Sequence, residues 1–219
     1  MKLGHSVEFK LPPKGMLSPN GSDDPLKYYY VPFISKLFIS RINITLRLLK
    51  DFSFDKSLEI GYGSGVLLPT LSKLSNQVYG VDIGSDPKFV VEQLKALGCN
   101  PMLSTGVSDK LLFEDDSFDL VVAVSVLEHI KEIDSFLTEI HRVIRPGGLL
   151  LVGMPAVNSF MEKLFAAIGF SGISNHHVTS PETMHKAAAS SLFTLKDVGW
   201  MPGFLPSNFY LYKSFLFQK

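Results

Sequence analysis

The hydrophobic pattern of the chain changes near residue 50, from helical spacing to an alternation of short apolar runs. Between Pro32 and Lys50 the apolar residues recur mostly at helical spacing, which predicts an amphipathic helix in front of the core. The runs that follow alternate with longer amphipathic segments, which predicts parallel strands with helices on both faces of a sheet. The predicted strands are 57–61, 77–81, 100–104, 118–124 and 148–153, and the predicted helices are 64–74, 86–97 and 132–144.

The pattern is different beyond the fifth predicted strand. Residues 157–169 have helical spacing, and Ser180 followed by Pro181 has the sequence of a helix cap and a first helical residue. Two apolar runs, 192–198 and 209–217, are typical of strands. The second half therefore predicts two more helices and a final pair of strands.

Composition and charge restrict the classes of partner. Lysine plus arginine and aspartate plus glutamate each number 21, so the formal net charge is zero and we expect no nucleic-acid partner. The single cysteine, Cys99, excludes an internal disulfide and a cysteine-cluster metal site. The apolar segment 31–49 is interrupted by Lys36, Arg41 and Arg47, so we expect no membrane-spanning helix. We expect a cytoplasmic protein, with peripheral membrane contact left open.

A candidate binding site follows the first predicted strand, where an acid precedes three glycines at alternate positions: Glu59, Gly61, Gly63 and Gly65. Glycines let the backbone turn sharply and approach a ligand with no Cβ in between. Asp82 ends the next predicted strand, where a carboxylate can accept both hydroxyls of a ribose. Three alternatives remain open: the glycines serve only the turn, Asp82 caps a helix, or Glu59 accepts from backbone amides.

Three further segments complete a pattern: an acidic turn and strand at 114–122, a loop at 124–130, and a Pro-Gly-Gly turn into a strand at 142–152. In this order and spacing, from Leu58 to Val152, the chain resembles the class I S-adenosylmethionine-dependent methyltransferases. The resemblance implies S-adenosylmethionine as cofactor and S-adenosylhomocysteine as product. It also implies a Rossmann-like α/β fold, with a mostly parallel seven-stranded sheet, an antiparallel C-terminal hairpin and helices on both faces.

On this resemblance we predict a single methyltransferase domain over residues 1–219. Its parts are an N-terminal arm and lid helix at 1–50, a cofactor-binding core at 51–153, a substrate-side insert at 154–190 and a C-terminal hairpin at 191–219. A chain of this length is long enough for one packed domain. The oligomeric state is not predicted.

The resemblance also assigns roles to residues of the cofactor site. The backbone at Gly61, Gly63 and Gly65 lies against the methionine and ribose of the cofactor, and Asp82 holds the ribose hydroxyls. Glu59 lies near the methionyl amino group. Ser125 and Leu127 line the methionyl pocket.

Adenine recognition departs from the family pattern. Many relatives carry an acid just after strand three, whereas Val107 occupies that position here. Asp109, two places later and next to Ser108, is one substitute. The other is recognition by backbone groups together with apolar contact from Ile83.

His129 is the candidate catalytic residue, because imidazole exchanges protons near neutral pH and the resemblance places it at the mouth of the site. The alternative is a structural role in the loop. We predict no metal site, since His176, His177 and His185 have no acid or cysteine at matching spacing.

The acceptor is predicted from what surrounds the site. Residues 123–127 lack the N-P-P-[YF] motif of enzymes that methylate nucleobases or glutamine side chains. The arm and insert are rich in aromatic residues and methionine, which suit an apolar small molecule. We predict methyl transfer to a small, fairly apolar molecule such as a quinone, lipid or secondary metabolite, with the acceptor atom (O, C or N) open. The alternatives are an inactive cofactor-binding partner subunit and, against the glycine spacing, an NAD-binding oxidoreductase.

Overall fold

The computed structural model describes residues 7–20, 24–106, 110–156, 178–191, 193–204 and 210–219. Two 3-10 helices in these ranges span Pro25–Tyr30 and Leu127–His129. The α-helices are α1 Ile34–Arg47, α2 Leu68–Leu71, α3 Pro87–Lys95, α4 Ile133–Val143 and α5 Pro181–Ser191. The strands are β1 Phe54–Ile60, β2 Ser75–Asp82, β3 Met102–Thr105, β4 Phe118–Val124, β5 Ile144–Pro155, β6 Thr194–Met201 and β7 Tyr212–Gln218.

The strands form one sheet in the order β3-β2-β1-β4-β5-β7-β6. The first five are parallel, and β7 lies antiparallel between β5 and β6. Ile60 pairs with Val81 of β2 on one side and with Ala123 of β4 on the other. Because strand order reverses between β1 and β4, their carboxyl ends form a crevice of the kind that binds ligands in open α/β sheets. The predicted fold class is confirmed.

Helices cover both faces of this sheet because successive strand residues point in opposite directions. On one face, Phe38 and Ile42 of α1 pack with Leu94 of α3 in one hydrophobic cluster. On the other, Leu137 and Ile140 of α4 pack in a second cluster. Within the described ranges, no helix has both the length and the apolar character needed to cross a membrane.

A buried hydrogen bond fixes α1 to the sheet. The hydroxyls of Thr45 and Ser214 lie 2.7 Å apart between α1 and β7. The helix predicted over 32–50 is present, but it is shorter and spans Ile34–Arg47. Closure of α1 over the site as a lid stays a prediction.

The predicted helix 64–74 is wrong in length, since α2 spans only Leu68–Leu71. Gly65 has φ 78°, outside the helical region, so no helix can run through it. Pro69 then falls in the first turn, where its missing N–H costs nothing. The segment between β1 and β2 therefore begins with the glycine turn and continues with a single turn of α-helix.

Other boundaries also shift. β5 begins at Ile144 rather than 148 because Ile144 pairs with Phe118 ahead of a register shift in β4. The two C-terminal strands begin two to three residues later than predicted, and each ends later as well. The predicted helix at Ser180-Pro181 is confirmed as α5. The predicted helix at 157–169 lies outside the described residues.

Candidate functional site

The glycine turn after β1 needs its three glycines for different reasons. Gly61, Gly63 and Gly65 all have positive φ, at 75°, 51° and 78°, which side chains with a Cβ rarely adopt. A Cβ on Gly61 would lie 2.3 Å from Cγ2 of Val126, and one on Gly65 would lie 3.0 Å from Cγ1 of Val90. A Cβ on Gly63 would meet only a side-chain carboxylate, at 3.5 Å. Packing therefore explains Gly61 and Gly65, whereas Gly63 keeps an accessible backbone.

Asp82 ties this turn to the end of β2. Its Oδ2 accepts from the backbone N–H of Gly63 at 2.9 Å, and its Oδ1 accepts from that of Gly84 at 2.9 Å. Each carboxylate oxygen retains a second lone pair for a ligand hydroxyl. The helix-cap alternative for Asp82 is wrong, because Asp86 caps α3 by accepting from Lys88 N.

Glu59 is a buried acid just before the turn. It is 5% exposed, and its Oε2 has no hydrogen-bond partner among the described residues. Burial, with a smaller contribution from Asp82, raises the pKa of this carboxyl to about 8. Backbone amides therefore do not satisfy Oε2, and a donor supplied by a ligand would relieve the cost of burying it.

Ser125 follows β4 with φ 58°, an uncommon backbone for a residue with a side chain. Its backbone N–H donates to Gly153 O at 2.8 Å, and its hydroxyl lies 3.0 Å from that of Tyr212. Leu127, two residues on, is fully buried in the core beneath the loop. These contacts hold the loop after β4 against β5 and β7, and contact of Leu127 with a cofactor stays a prediction.

Arg41 brings a positive charge from α1 to the same loop. Its Nη1 donates to Ser125 Oγ at 3.5 Å and its Nη2 to the Tyr29 hydroxyl at 3.1 Å. The guanidinium carbon lies 4.2 Å from the ring centroid of Phe38. Its Nε is buried and has no hydrogen-bond partner within the described ranges. A guanidinium with an unused donor at this position is suited to a carboxylate.

Sequence reasoning missed Arg41 as a site residue, since it counted this arginine only as an interruption of an apolar segment. The available signal was its position, one turn before Thr45 on the face that α1 buries. Tyr212 was missed for a different reason. It enters the site through the pairing of Pro155 with Tyr212, a contact between distant parts of the chain.

The 3-10 helix after β4 contains two adjacent titratable residues, one buried and one exposed. Glu128 is 1% exposed, and its Oε2 has no hydrogen-bond partner in the described part of the chain. Burial raises the pKa of Glu128 to about 8, although Arg41 opposes the shift. His129 is exposed, and its backbone N–H donates to Val126 O at 3.0 Å. The acid, rather than the histidine, is thus the group shielded from water beside Arg41.

Two cavities flank the crevice. The larger, about 210 Å³, lies at the ends of β2 and β3 and is lined by Val81, Ser104, Thr105, Gly106 and the segment 110–113. Ile83, 76% exposed, follows β2. The smaller recess, about 20 Å³, lies between α1 and β5–β7; its lining is mainly apolar, with Leu37, Phe38, Pro155, Met201, Leu211, Arg41 and Tyr212. Ser108 and Asp109 lie outside the described residues.

The N-terminal arm also reaches the glycine turn. Asp24 Oδ1 accepts from Leu26 N at 2.8 Å and from Ser64 Oγ at 3.3 Å. Asn20 Nδ2 donates to Gly63 O at 3.3 Å. The predicted N-terminal arm therefore forms part of the wall of the crevice.

The remaining candidates lie elsewhere. Asp119 Oδ2 accepts from the backbone N–H of Asp55 and Lys56 at 3.0 and 2.7 Å. The ring of His185 stacks on Phe215 at 5.2 Å. No cluster of three or more histidine, cysteine or acidic residues in the described ranges is placed to hold a metal ion. His176 and His177 lie outside those ranges.

Comparisons with curated proteins find relatives of similar length. A ubiquinone biosynthesis O-methyltransferase of Mesorhizobium japonicum is 26% identical over 195 residues, covering 82% of this chain and 77% of that protein. The enzyme of the same name from Colwellia psychrerythraea is 30% identical over 121 residues, covering 50% of this chain and 46% of that protein.

Solved structures share the fold. The N-methyltransferase NodS from Bradyrhizobium japonicum WM9, in complex with S-adenosyl-L-homocysteine, matches with a TM-score of 0.64 at 16% identity, over 92% of this chain and 94% of that one. The PH0226 protein from Pyrococcus horikoshii OT3 matches with a TM-score of 0.66 at 18% identity, over 88% and 98%. A family model described as "Methyltransferase domain" matches residues 58–152, which contain the glycine turn, Asp82 and the loop after β4. The matched segment is a methyltransferase domain, and the relatives together with the shared fold support a class I S-adenosylmethionine-dependent methyltransferase.

Proposed function

We propose that this enzyme transfers the methyl group of S-adenosylmethionine to a hydroxyl of a small, largely apolar molecule. The observation that carries the proposal is the recess between α1 and the β5–β7 edge. It opens beside Arg41 and Tyr212, whose side chains both approach Ser125 at the carboxyl end of β4. The acceptor would enter there by widening the recess, since a volume of about 20 Å³ admits only a water-sized group. The cofactor would lie along the ends of β1, β2 and β4.

The nucleoside half of the cofactor fits the β1–β2–β3 side of the crevice. Asp82 would accept the ribose hydroxyls with the lone pairs that Gly63 and Gly84 leave unused. The cavity of about 210 Å³ lined by Val81 and Gly106 has room for a purine ring. Ile83 would cover one face of that ring by apolar contact, which agrees with adenine recognition through backbone and apolar groups.

The methionyl half fits two buried polar atoms that have no hydrogen-bond partner among the described residues. Arg41 Nε would donate to the cofactor's carboxylate, because a guanidinium binds a carboxylate through charge-assisted hydrogen bonds. Glu59 Oε2 would accept, directly or through water, from the ammonium group. The carboxylate and the ammonium of the cofactor would therefore each meet a protein group of opposite charge. Arg41 Nε and Glu59 Oε2 would each gain a hydrogen-bond partner.

When bound, the cofactor supplies a methyl group on a sulfonium cation, so the protein mainly has to align the acceptor with it. Leu37, Phe38 and Met201 would exclude water from the acceptor side of the recess. A phenolic or alcoholic hydroxyl must also lose a proton. Glu128 would accept that proton, because its raised pKa, about 8, makes its carboxylate a stronger base than an ordinary one.

The relatives support a hydroxyl acceptor by name, since those in Mesorhizobium japonicum and Colwellia psychrerythraea are called O-methyltransferases of ubiquinone biosynthesis. At 26% to 30% identity the name suggests the reaction type rather than the molecule. The apolar lining of the recess agrees with a hydrophobic ring or chain on the acceptor.

The test has two steps. Calorimetric titration with S-adenosylhomocysteine should give a dissociation constant on the order of micromolar or better. Methyl transfer from labelled S-adenosylmethionine is then measured to an alkylated catechol, to its dimethyl ether and to glycine. We expect transfer to the catechol alone.

Each alternative predicts a different result. Transfer to glycine but not to the catechol would contradict the hydroxyl acceptor. Cofactor binding with no transfer to any compound in a broad acceptor set, together with a stable protein complex, would indicate an inactive partner subunit. Thermal stabilisation by NAD but not by S-adenosylhomocysteine would contradict the cofactor.

A further inference from the structure

Two phenylalanines stand out among the described residues by their exposure. Phe33, just before α1, is 85% exposed, and Phe204, just after β6, is 86% exposed. The other exposed phenylalanines, Phe89 and Phe52, are 44% and 43% exposed. Large aromatic side chains normally bury most of their surface, so two uncovered rings indicate a surface that contacts something else.

β6 runs along α1 toward the end of the helix at which Phe33 lies. A Cβ on Gly199 would lie 3.4 Å from Ile44 O, in the last part of α1. Two residues later, Met201 lines a recess together with Leu37, in the first part of α1. The strand therefore advances toward the N-terminal part of α1, which begins directly after Phe33, and Phe204 lies three residues beyond Met201.

The backbone at Phe33 is held in an unfavourable conformation. Its φ is 66°, in the left-handed region that bulky residues rarely occupy. The ring gains no burial in exchange, because Phe33 belongs to neither hydrophobic cluster of the described core. Val31 and Pro32, which precede it, are exposed as well. We call Val31, Pro32, Phe33 and Phe204 the aromatic rim.

Positive charge accompanies the rim. Residues 25–50 contain five lysines and arginines and no aspartate or glutamate, in a chain whose formal net charge is zero. Lys36 lies one helical turn after Phe33, and Lys27 lies in the preceding 3-10 helix; both are exposed. Exposed aromatic rings flanked by lysines match an anionic lipid surface, since the rings enter the interface while the ammonium groups meet phosphates.

We propose that the aromatic rim inserts into the headgroup region of an anionic bilayer, with Lys27 and Lys36 against lipid phosphates. The recess is lined by Leu37, one turn of α1 after Phe33, and by Met201, three residues before Phe204. An apolar acceptor dissolved in the bilayer would therefore enter the recess without crossing water. This last step rests on the proposed function, whereas attachment to the bilayer does not.

The experiment is co-sedimentation of the purified chain with vesicles of mixed phosphatidylglycerol and phosphatidylcholine, or of phosphatidylcholine alone. We expect binding to the mixed vesicles that weakens with added salt. The double variant Phe33→Asn, Phe204→Ser should lose about tenfold or more in vesicle affinity, and Asn is chosen because it tolerates positive φ. Phe89→Ser, on α3, removes a half-exposed ring elsewhere and should bind vesicles like the wild type.

A second pair of changes tests the charges. Lys27→Gln with Lys36→Gln should weaken binding to the mixed vesicles by about tenfold and leave binding to phosphatidylcholine alone unchanged. The proposal is overturned if the wild type does not sediment with mixed vesicles, or if the rim variant sediments equally well. It is also overturned if the wild type is a dimer without lipid and the rim variant a monomer, because the rim would then be an interface between copies.

The two proposals fail separately. Calorimetric titration of the rim variant with S-adenosylhomocysteine should give the wild-type affinity, since no rim residue is among those proposed to bind the cofactor. Vesicle binding by a chain that methylates no hydroxyl would overturn the proposed function and leave the bilayer contact standing. Equal turnover of a water-dispersed and a vesicle-embedded alkylcatechol would overturn entry of the acceptor from the bilayer.

Discussion

The hydroxyl groups of Ser125 and Tyr212 lie 3.0 Å apart, which joins β7 to the loop that follows β4. Tyr212 is buried, so removing its hydroxyl would leave the Ser125 hydroxyl without this partner. We expect Tyr212→Phe to lower the free energy of unfolding by about 1 kcal/mol and to weaken S-adenosylhomocysteine binding. Urea unfolding and calorimetry measure the two effects. Tyr210→Phe is the control, because that hydroxyl bonds Glu182, and it should leave the cofactor affinity unchanged.

Asp82 and Asp86 provide a matched pair for separating ligand contact from helix capping. Asp82→Ala should weaken S-adenosylhomocysteine binding by roughly 2 kcal/mol, through loss of charge-assisted hydrogen bonds to the ribose. Asp86→Ala should lower stability by about 1 kcal/mol because it removes the cap of α3, while the affinity stays the same. Equal affinity losses in both variants would show that Asp82 acts only by holding the turn.

Glu59 predicts a pH dependence of stability with a definite sign. Its pKa rises from an ordinary 4.5 to about 8 in the folded chain, so between these values the folded state binds more protons than the unfolded state. Its stabilising contribution is full below pH 4.5 and is lost as the pH rises toward 8. Glu59→Gln should flatten this fall in a series of urea titrations.

The same carboxyl predicts proton release when the cofactor binds. A ligand ammonium beside Glu59 favours the carboxylate and lowers its pKa, so at neutral pH a proton leaves on binding. Calorimetric enthalpies measured in buffers of different ionisation enthalpy should reveal that proton, and Glu59→Gln should abolish it. Buffer-independent enthalpies in the wild type would place the ammonium elsewhere.

Gly61 is predicted to be a packing requirement rather than a ligand contact. In Gly61→Ala the new Cβ would lie 2.3 Å from Cγ2 of Val126, in addition to the strain at φ 75°. We expect a loss of about 2–4 kcal/mol in thermal or urea unfolding. Adding Val126→Ala removes the colliding methyl and should recover part of the loss. If the double variant recovers no stability, the whole loss comes from the strain of the backbone at positive φ.

Glu128 and His129 are competing candidates for the proton acceptor. With a hydroxyl acceptor, we expect Glu128→Gln to lower turnover by roughly a hundredfold and His129→Ala by less than about tenfold. The wild-type rate should rise with pH toward a plateau above about 8, as Glu128 ionises, and this rise should vanish in Glu128→Gln. The reverse order of losses would return the catalytic role to His129.

The parts of the fold that sequence predicts best are those set by local pattern. The alternation of apolar runs marks β1 to β5, and the glycine spacing predicts the turn in which Gly61 has positive φ. The contact of Asp82 with Gly63 joins residues 19 positions apart, but it follows from the parallel pairing of β1 with β2. The length of α2 was overestimated because an apolar run after Gly65 has helical spacing whether or not the chain can turn into it. Local pattern records periodicity but not the dihedral angle at one glycine.

The acceptor side of the site was not predictable in the same way. Arg41 and Tyr212 meet Ser125 only because α1 and β7 pack at the β5 edge, across long stretches of sequence. Nothing near any one of the three residues indicates the other two. Residue type alone does not separate Glu128 from His129, and only the burial of Glu128 distinguishes the two.

The position of β7 between β5 and β6 has a consequence for the order in which the chain is made. β1 pairs with both β2 and β4, so the cofactor half of the crevice can form while later residues are still being synthesised. β6 is made before β7 but has no place in the sheet until β7 lies against β5. During that interval the edge of β5 exposes unpaired backbone groups, and α1 lacks the Ser214 partner of Thr45. The cofactor side of the crevice can thus form before the acceptor side is complete.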